Sequence, residues 1–177
     1  MPHSSSIPES CPDCGFIWDD VAPDEVSARV TSAVGLFSIL LIDNAALTHI
    51  RIEPERWSIV EYGAHLRDVL LLVRDRVILT ALEEVPHPFP LYREERVHLG
   101  LYAEDTAASI AEELIVAARL FNSAFNHLYP AHAERTLIYS YPLGAERSMG
   151  WTGAQVVHEC EHHFDDVRHN ADVLARS

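Results

Sequence analysis

Four long segments of the sequence place apolar residues at every third or fourth position, and this periodicity constrains the fold more than any other feature. Such spacing is typical of amphipathic helices, each of which must bury its apolar face. The predicted helices cover residues 23–41, 57–84, 104–129 and 150–174. No comparable series of strands accompanies them. The sequence therefore predicts an all-α protein, a four-helix bundle.

Residues that favour helix ends support these limits. Proline and two acids open the first segment at residues 23–25, and Ser58 with Glu61 forms the S-x-x-E pattern of a capping box. A cluster of prolines follows the second segment. The connection 86–101 is predicted to be a long loop. The connection 135–148 is predicted to contain either a short strand or an ordered crossing loop.

Composition excludes several classes of function. The formal charge of −14 opposes nucleic-acid binding, because a surface that binds phosphates must be basic. No continuous apolar run reaches the roughly 18 residues of a membrane span, so we expect neither nucleic-acid nor membrane partners. The N-terminus lacks the basic and apolar regions of a secretory signal, and a cytoplasmic location is expected. Three cysteines in that setting are expected to be reduced thiols or metal ligands.

Eleven histidines point to metal or proton chemistry, and two of them have a spacing that suits a metal ion. His158 and His162 lie four residues apart on the fourth helix, so their side chains project from one face. The best third ligand is His65, because its neighbours Val69 and Val73 belong to the bundle interior, where an imidazole needs a partner. We therefore predict that the three histidines bind one divalent ion, in a cleft that leaves a position open for water or substrate.

Two other metal motifs overlap the same segment but are incomplete. Residues 158–162 read H-E-x-x-H, the zincin signature in which Glu159 would be the general base. The positions that complete the metzincin pattern hold Asp165 and Arg168 instead of glycine and histidine. The same segment matches the E-x-x-H of di-iron bundles, but the helix that carries His65 lacks a second copy. The sequence therefore favours neither class.

Residues 1–22 are predicted to form a tail outside the bundle of residues 23–177, and this tail contains Cys11 and Cys14. The pattern C-P-x-C-G is one half of a zinc ribbon, in which a tight turn directs two thiolates to one ion. No second C-x-x-C exists, so the remaining ligands would be histidines of the tail or bundle, or cysteines of a second subunit. A redox dithiol or no function are the alternatives. Cys160, on the apolar stripe of the fourth helix, is predicted to be a buried core thiol.

The order of the motif residues resembles the DinB-like superfamily over roughly residues 23–175. The residues that carry the resemblance are Trp57, Ser58, His65, Asp68, His158 and His162. The resemblance implies that the three histidines bind zinc, nickel or iron, and that the bundle has an up-down-down-up topology with a long crossover. It also implies a homodimer, which is a common state among members of the family. The family includes transferases and isomerases that use mycothiol or bacillithiol.

The leading hypothesis is a metal-dependent S-transferase that activates a low-molecular-weight thiol of this type towards a small electrophile. A divalent ion held by neutral imidazoles would lower the pKa of a bound thiol. A hydrolase that uses metal-bound hydroxide and a non-catalytic metal-binding or stress-response module are the alternatives. Glu61 or Asp68 is expected to orient His65, and Tyr62 and Trp151 are expected to line the substrate pocket. No catalytic residue beyond the metal ligands is predicted.

Overall fold

The computed structural model describes residues 10–140 and 144–176 of the chain, and most of them are helical. The helices and strands are α1 Val26–Asp43, α2 Ile59–Leu82, α3 Arg93–His98, α4 Ala107–His132, β1 Thr136–Tyr139, β2 Ala145–Ser148 and α5 Met149–Leu174. The four long helices, α1, α2, α4 and α5, coincide with the four predicted segments to within a few residues. The predicted all-α four-helix bundle is therefore confirmed.

Side chains at the N-termini explain where three of the four long helices, α2, α4 and α5, begin. At α2 the predicted capping box is present: Ser58 Oγ accepts a hydrogen bond from the Glu61 N–H at 3.4 Å, and Glu61 Oε2 accepts one from the Ser58 N–H at 2.7 Å. Thr106 caps α4 in the same way. Ser148 accepts a hydrogen bond from the Trp151 N–H at the start of α5. Each cap satisfies backbone donors that the first turn of a helix leaves without partners.

The order of the helices around the bundle decides which side chains can meet. Helix α1 packs against α4 and α5, and α2 packs against the same two helices. Helices α1 and α2 therefore lie on a diagonal although they follow each other in the chain. This arrangement requires the long connections 44–58 and 83–106. It also places α2, which carries His65, directly against α5.

Two glycines allow the helices to approach each other closely. A Cβ atom at Gly63 of α2 would lie 2.7 Å from Ile110 Cγ2 of α4, and one at Gly153 of α5 would lie 2.5 Å from Phe125 Cζ. Both distances are shorter than a van der Waals contact, so a side chain at either position would push the helices apart. Large buried residues fill the core of the bundle, among them Phe37, Leu66, Leu70, Leu114 and Phe121.

The long connections contain more structure than simple loops. In residues 135–148, strands β1 and β2 pair in antiparallel orientation, which agrees with the predicted short strand and not with the ordered loop. Tyr141 and Pro142 lie outside the described residues. The connection 86–101 contains the short helix α3. Helix α4 continues two residues past Pro130, because a proline in the last turn removes only one helical hydrogen bond.

Helix α1 is long and apolar enough, by length and composition alone, to cross a membrane, with a mean hydropathy of 1.5. Gly35 and Ser38 interrupt it, which is why no continuous apolar run predicts a span. Its residues Val30, Phe37 and Leu41 are fully buried against the other helices. Packing in the bundle core therefore accounts for one apolar face of α1, while Leu36, Ile39 and Ile42 of the same helix are exposed.

The described part of the tail folds back onto the bundle. A tight turn at residues 11–15 is followed by a 3₁₀ turn at Trp18–Asp20, and an isolated bridge pairs Ser10 with Ile17. The buried ring of Trp18 stacks on Trp151 of α5 with 5.7 Å between ring centroids. Helix α5 thus contacts α2 on one side and the tail on another. Residues 1–9 of the tail lie outside the described residues.

Candidate metal centre

Helix α5 presents metal-ligand side chains on two neighbouring faces. A helix turns by about 100° per residue, so the pair at positions 158 and 162 projects in a different direction from the pair at 159 and 163. Within the part of the chain that the structure describes, three groups of His, Cys, Asp or Glu have ligand atoms that all lie within 4.8 Å of one another. The groups are His65 with Glu159 and His163; Cys11 and Cys14 with His158 and His162; and His162 with His163 and Asp166.

The first group, hereafter the interior group, consists of His65 from α2 and Glu159 and His163 from α5. The Nε2 atoms of both histidines face the same carboxylate oxygen, Glu159 Oε2, at 3.6 Å from His65 and 3.2 Å from His163. The two imidazole rings meet edge to face, with 5.0 Å between their centroids. Three ligand atoms therefore converge on one point between the two helices.

The ring of His65 has no hydrogen-bond partner although only 2% of the residue is exposed. Both Nδ1 and Nε2 are buried and unsatisfied, which is rare for buried polar atoms. Burial lowers the pKa of His65, so the ring is neutral near physiological pH, and neutral imidazole is the form that binds metals. A metal ion would supply a partner for Nε2. The residues present therefore fit the ion that the family resemblance implies.

The other two members of the interior group are held with opposite charges. Burial opposes protonation of His163, but the carboxylates of Asp166 and Glu159 outweigh it and raise the pKa of His163 to about 9. Burial also opposes ionisation of Glu159, but the charged ring of His163 outweighs it and holds the pKa of that carboxyl well below its usual range. Glu159 is therefore ionised, as a metal ligand must be. A metal ion would compete with the proton of His163.

Neighbouring side chains orient both ligands on α5. Asp166 Oδ2 lies 3.0 Å from His163 Nδ1, which leaves Nε2 directed at Glu159. Gln155 Nε2 donates a hydrogen bond to Glu159 Oε1 at 2.6 Å, and Gln155 Oε1 accepts one from Trp18 Nε1–H of the tail at 2.6 Å. Such contacts fix the direction of metal ligands and increase their basicity. The tail is therefore connected to the interior group through one glutamine.

The second group, hereafter the tail group, brings Cys11 and Cys14 to His158 and His162 of α5. Only 4% of His158 is exposed, and neither of its ring nitrogens has a hydrogen-bond partner. Burial lowers the pKa of His158 to about 4, so this ring is also neutral. Nδ1 of His162 is likewise buried and unsatisfied. Because His162 Nε2 lies 3.6 Å from Asp166 Oδ2, this histidine stands between the tail group and the interior group.

The structure does not bring the three predicted ligands into one group. It places His65 with Glu159 and His163, and it places His158 and His162 with the tail cysteines. The reason is the rotation between adjacent residues of α5: the face that meets α2 carries positions 159 and 163, one residue further along the helix. Glu159 and His163 were not predicted as ligands.

A signal for this face is nevertheless present in the sequence. Gln155, Glu159, His163, Asp166 and Asn170 follow one another at steps of three and four, so five polar side chains form one stripe beside the apolar stripe of α5. Polar residues at such positions need partners inside the protein, and each of the five has one here. A polar stripe of this kind predicts a buried network that faces another helix.

The two carboxylates predicted to orient His65 have other contacts. Glu61 caps α2 and forms an ion pair with Arg51 at 2.6 Å. Asp68 forms an ion pair with Arg96. Neither carboxylate contacts His65 in the hydrogen bonds and ion pairs of the described residues. In this structure Glu61 therefore stabilises the N-terminus of α2, and Asp68 connects α2 to α3.

The remaining predicted residues are placed differently from one another. Tyr62 packs against the His163 ring, with 5.3 Å between ring centroids, and lines a cavity. Trp151 stacks on Trp18 and lines neither of the two cavities described next. Cys160 is fully buried, so its prediction as a core thiol is confirmed.

The first cavity, hereafter the α3 cavity, has a volume of about 390 Å³. His65 and Glu159 lie in its wall, and most of the other lining residues are apolar, such as Val69 and Leu91. The start of α3 and the end of β1 complete the wall. A space of this size accommodates a small organic molecule.

The second cavity, hereafter the tail cavity, has a volume of about 650 Å³ and is also lined by Cys14 and His162 of the tail group. Tyr62 and His163 lie in its wall. Its polar lining residues are mostly acidic: Asp13, Glu55, Glu94, Asp165 and Asp166, with Arg56 and Arg93 as the cations. Arg93 and Glu94 border both cavities. The interior group therefore borders two spaces of different chemistry.

A helical bundle in which imidazoles and a carboxylate converge between two of its helices defines a class of proteins with a metal-ligand set in the bundle core. The chain belongs to the DinB superfamily, whose sequence model matches residues 23–166. The predicted resemblance is thus confirmed, and the match begins after the tail. No curated protein matches the chain in sequence.

The fold is similar to that of YfiT from Bacillus subtilis, described as a probable metal-dependent hydrolase with an unusual four-helix bundle topology. The TM-score is 0.73, and the comparison covers 89% of this chain and 91% of that chain at 11% sequence identity. At this identity the similarity concerns the fold alone.

Proposed function

We propose that the protein is a metal-dependent enzyme whose ion is held by His65, Glu159 and His163. The observation that carries this proposal is the buried His65 ring, whose two nitrogens lack hydrogen-bond partners while Nε2 faces Glu159. Two imidazoles and one carboxylate are the protein ligands of many catalytic zinc sites, which keep a further position open. Imidazole ligands also suit nickel and iron. The interior group thus has the composition of a catalytic site.

The reaction that we propose is the transfer of a low-molecular-weight thiol to a small electrophile: a sulfur–carbon bond forms, the bond from that carbon to a leaving group breaks, and the leaving group and the thiol proton are released. When bound, the ion supplies a positive charge that lowers the pKa of a thiol ligand. Support comes from the two cavities beside the interior group, because a transfer reaction needs room for two substrates. The acidic wall of the tail cavity suits a thiol with hydroxyl or amino groups, as in the mycothiol or bacillithiol class. The apolar wall of the α3 cavity suits the electrophile.

Arg76 gives the α3 cavity a cationic end. It is buried, its Nη2 donates a hydrogen bond to Phe89 O at 2.7 Å, and its guanidinium lies over the Tyr139 ring at 4.7 Å. Its Nε is buried without a hydrogen-bond partner, and no carboxylate among the described residues forms an ion pair with it. A buried guanidinium without a counter-charge is costly. We therefore propose that the electrophile carries a carboxylate that binds Arg76.

A hydrolase is the second candidate, and the description of YfiT as a probable metal-dependent hydrolase favours it. The same three ligands would hold the ion, and water would replace the thiol. In that case the tail cavity would not need to bind a second substrate. The two candidates therefore differ in whether turnover depends on a thiol.

The ligand set is tested by elemental analysis of protein purified without added metal. We expect His65→Ala to lose close to one equivalent of metal relative to the wild type. His169→Ala is the matched control, because His169 is an exposed histidine on the same helix as two of the ligands. Equal metal contents in the wild type and in His65→Ala would contradict the ligand set.

The reaction is tested with metal-loaded protein and an activated aryl halide that carries a carboxylate. Thioether formation in the presence of a low-molecular-weight thiol, absent in His65→Ala, is the expected result. Hydrolysis of an activated ester at an equal rate with and without thiol would instead support the hydrolase. Thioether formation at an unchanged rate in His65→Ala would contradict both candidates.

A further inference from the structure

We propose that Cys11, Cys14, His158 and His162 bind a second ion, Zn²⁺, in a closed four-ligand site that fastens the tail to α5. The two cysteines precede the part of the chain that matches the DinB superfamily, so the site is an addition to the bundle. It does not depend on the proposed reaction, because none of its ligands belongs to the interior group.

The backbone of the tail forms the turn that such a site requires. The Gly15 N–H donates a hydrogen bond to Cys11 O at 2.8 Å, and the Cys11 N–H donates one to Phe16 O at 2.8 Å. Gly15 has a φ of +74°, a conformation that glycine adopts without steric cost. This turn directs the thiols of Cys11 and Cys14 to the same side, as in the C-x-x-C half of structural zinc sites.

The distances within the tail group suit one ion. All four ligand atoms lie within 4.8 Å of one another. In a tetrahedral site with Zn–S bonds of about 2.3 Å and Zn–N bonds of about 2.0 Å, the ligand atoms are separated by roughly 3.3–3.8 Å. Side-chain rotations that move the ligand atoms by about 1 Å would therefore close the group around zinc. Both cysteines are free thiols in this structure.

The surroundings of the buried His158 ring also indicate that it binds a ligand. Phe16 and Trp18 lie against it, at 5.1 and 5.3 Å between ring centroids, and exclude water from its surroundings. Its two nitrogens nevertheless have no hydrogen-bond partner, and aromatic rings do not supply the partner that a buried imidazole needs. An ion bound to the two thiols would satisfy His158 and His162 together.

The chemistry of the donors selects zinc and a structural role. Thiolate sulfur is a soft donor that magnesium and calcium do not favour. Two thiolates with two imidazoles form a complete tetrahedral shell, which leaves no position for a substrate. By fixing the tail on α5, the ion would hold Trp18 in place, and Trp18 donates to the same Gln155 that contacts Glu159.

The site is tested on the full chain under reducing conditions, first by replacing the bound metal with Co²⁺. We expect the wild type to show a thiolate-to-cobalt charge-transfer band and the strong visible bands of tetrahedral cobalt. The double variant Cys11→Ser plus Cys14→Ser should lose the charge-transfer band and one equivalent of zinc. His65→Ala should retain the band, since it removes only an interior ligand.

Cys160→Ala is the matched control, because Cys160 is a buried thiol outside the tail group, and it should retain both the band and the zinc. Circular dichroism should show unchanged helix content in the double cysteine variant, since the tail lies outside the long helices. The proposal would be overturned if the wild type gave no thiolate band. Equal zinc contents in the wild type and the double variant, or a disulfide between the two cysteines in the reduced wild type, would also overturn it.

Discussion

The interior group and the tail group use the same helix in two different ways. Each takes a pair of α5 residues four positions apart, and the two pairs are offset by one residue. The interior pair, Glu159 and His163, meets a single histidine from α2 and lies beside two cavities. The tail pair, His158 and His162, meets two thiols; aromatic rings cover His158, whereas His162 lies in the wall of the tail cavity. Both groups border the tail cavity, so the contrast lies in the number of ligands: three, which leave a coordination position open, against four, which complete a tetrahedral shell.

This contrast shows that ligand spacing alone does not define the task of a metal site. The task depends on the segment that α5 meets. Helix α2 supplies one imidazole and leaves a coordination position open, whereas the turn of the tail supplies two thiols and completes the shell. The proposed catalytic and structural roles follow from that difference. Substitutions in the two groups should therefore have separable effects on activity and on the attachment of the tail.

The largest expected effect is on activity when the interior carboxylate is neutralised. Glu159→Gln keeps the size of the side chain but removes the anionic ligand, so we expect turnover to fall by more than the roughly 10–100-fold typical of residues that only orient ligands. The measurement is the rate of thioether formation together with metal content. Glu161→Gln is the matched control, because Glu161 pairs with Arg29 on a different side of α5.

The same experiment can break the comparison between the two groups. Glu159→Gln should leave the thiolate-to-cobalt band of the tail group intact, because none of the four tail ligands is altered. If the double cysteine variant lost as much turnover as Glu159→Gln, the division into a catalytic and a structural group would be wrong.

The bundle itself was predictable because its signals are local. Ser58 and Glu61 are three residues apart and cap α2 whatever the rest of the chain does, and the apolar stripes need only a packing partner, not a specified one. His65 was identified as an interior histidine for the same reason: its immediate neighbours on α2 are apolar. These predictions required no knowledge of which helices meet.

The grouping of the ligands depended on information that is not local. Whether position 158 or 159 of α5 faces α2 is decided by the rotation of the helix in the bundle, and spacing cannot distinguish the two pairs. The tail cysteines reach His158 and His162 because the tail folds back onto α5, where Phe16 and Trp18 pack. The α3 cavity likewise depends on how residues 86–101 fold over α2. Such contacts join distant segments and follow from the whole packing.

The next largest effect is expected for substrate binding at Arg76, and it sharpens the comparison because the α3 cavity is lined by His65 and Glu159 and by none of the tail ligands. Arg76→Gln removes the cationic end of the α3 cavity but no metal ligand. A hydrogen bond to a charged group contributes about 1.5–3 kcal/mol, so we expect KM for a carboxylate-bearing electrophile to rise roughly 10–100-fold. Metal content should not change.

The control for Arg76 is the substrate itself. A neutral electrophile of the same shape should show little change in KM between the wild type and Arg76→Gln. An equal increase in KM for both substrates would indicate that Arg76 shapes the cavity and does not bind a carboxylate.

The smallest expected effect concerns the connection between the two groups, and it tests how independent they are. Trp18→Phe retains an aromatic ring against α5 but removes the donor to Gln155, so Gln155 would hold Glu159 less firmly. Because Trp18 acts through an intermediate residue, we expect metal affinity of the interior group to fall by about tenfold at most, the lower end of the range for residues that orient ligands. Metal competition titrations with a chromophoric chelator measure this change, and Trp151→Phe, which keeps the Trp18 donor, is the control. A full loss of interior metal in Trp18→Phe would mean that the tail is part of the catalytic site, whereas no change would mean that the two groups share a helix and nothing more.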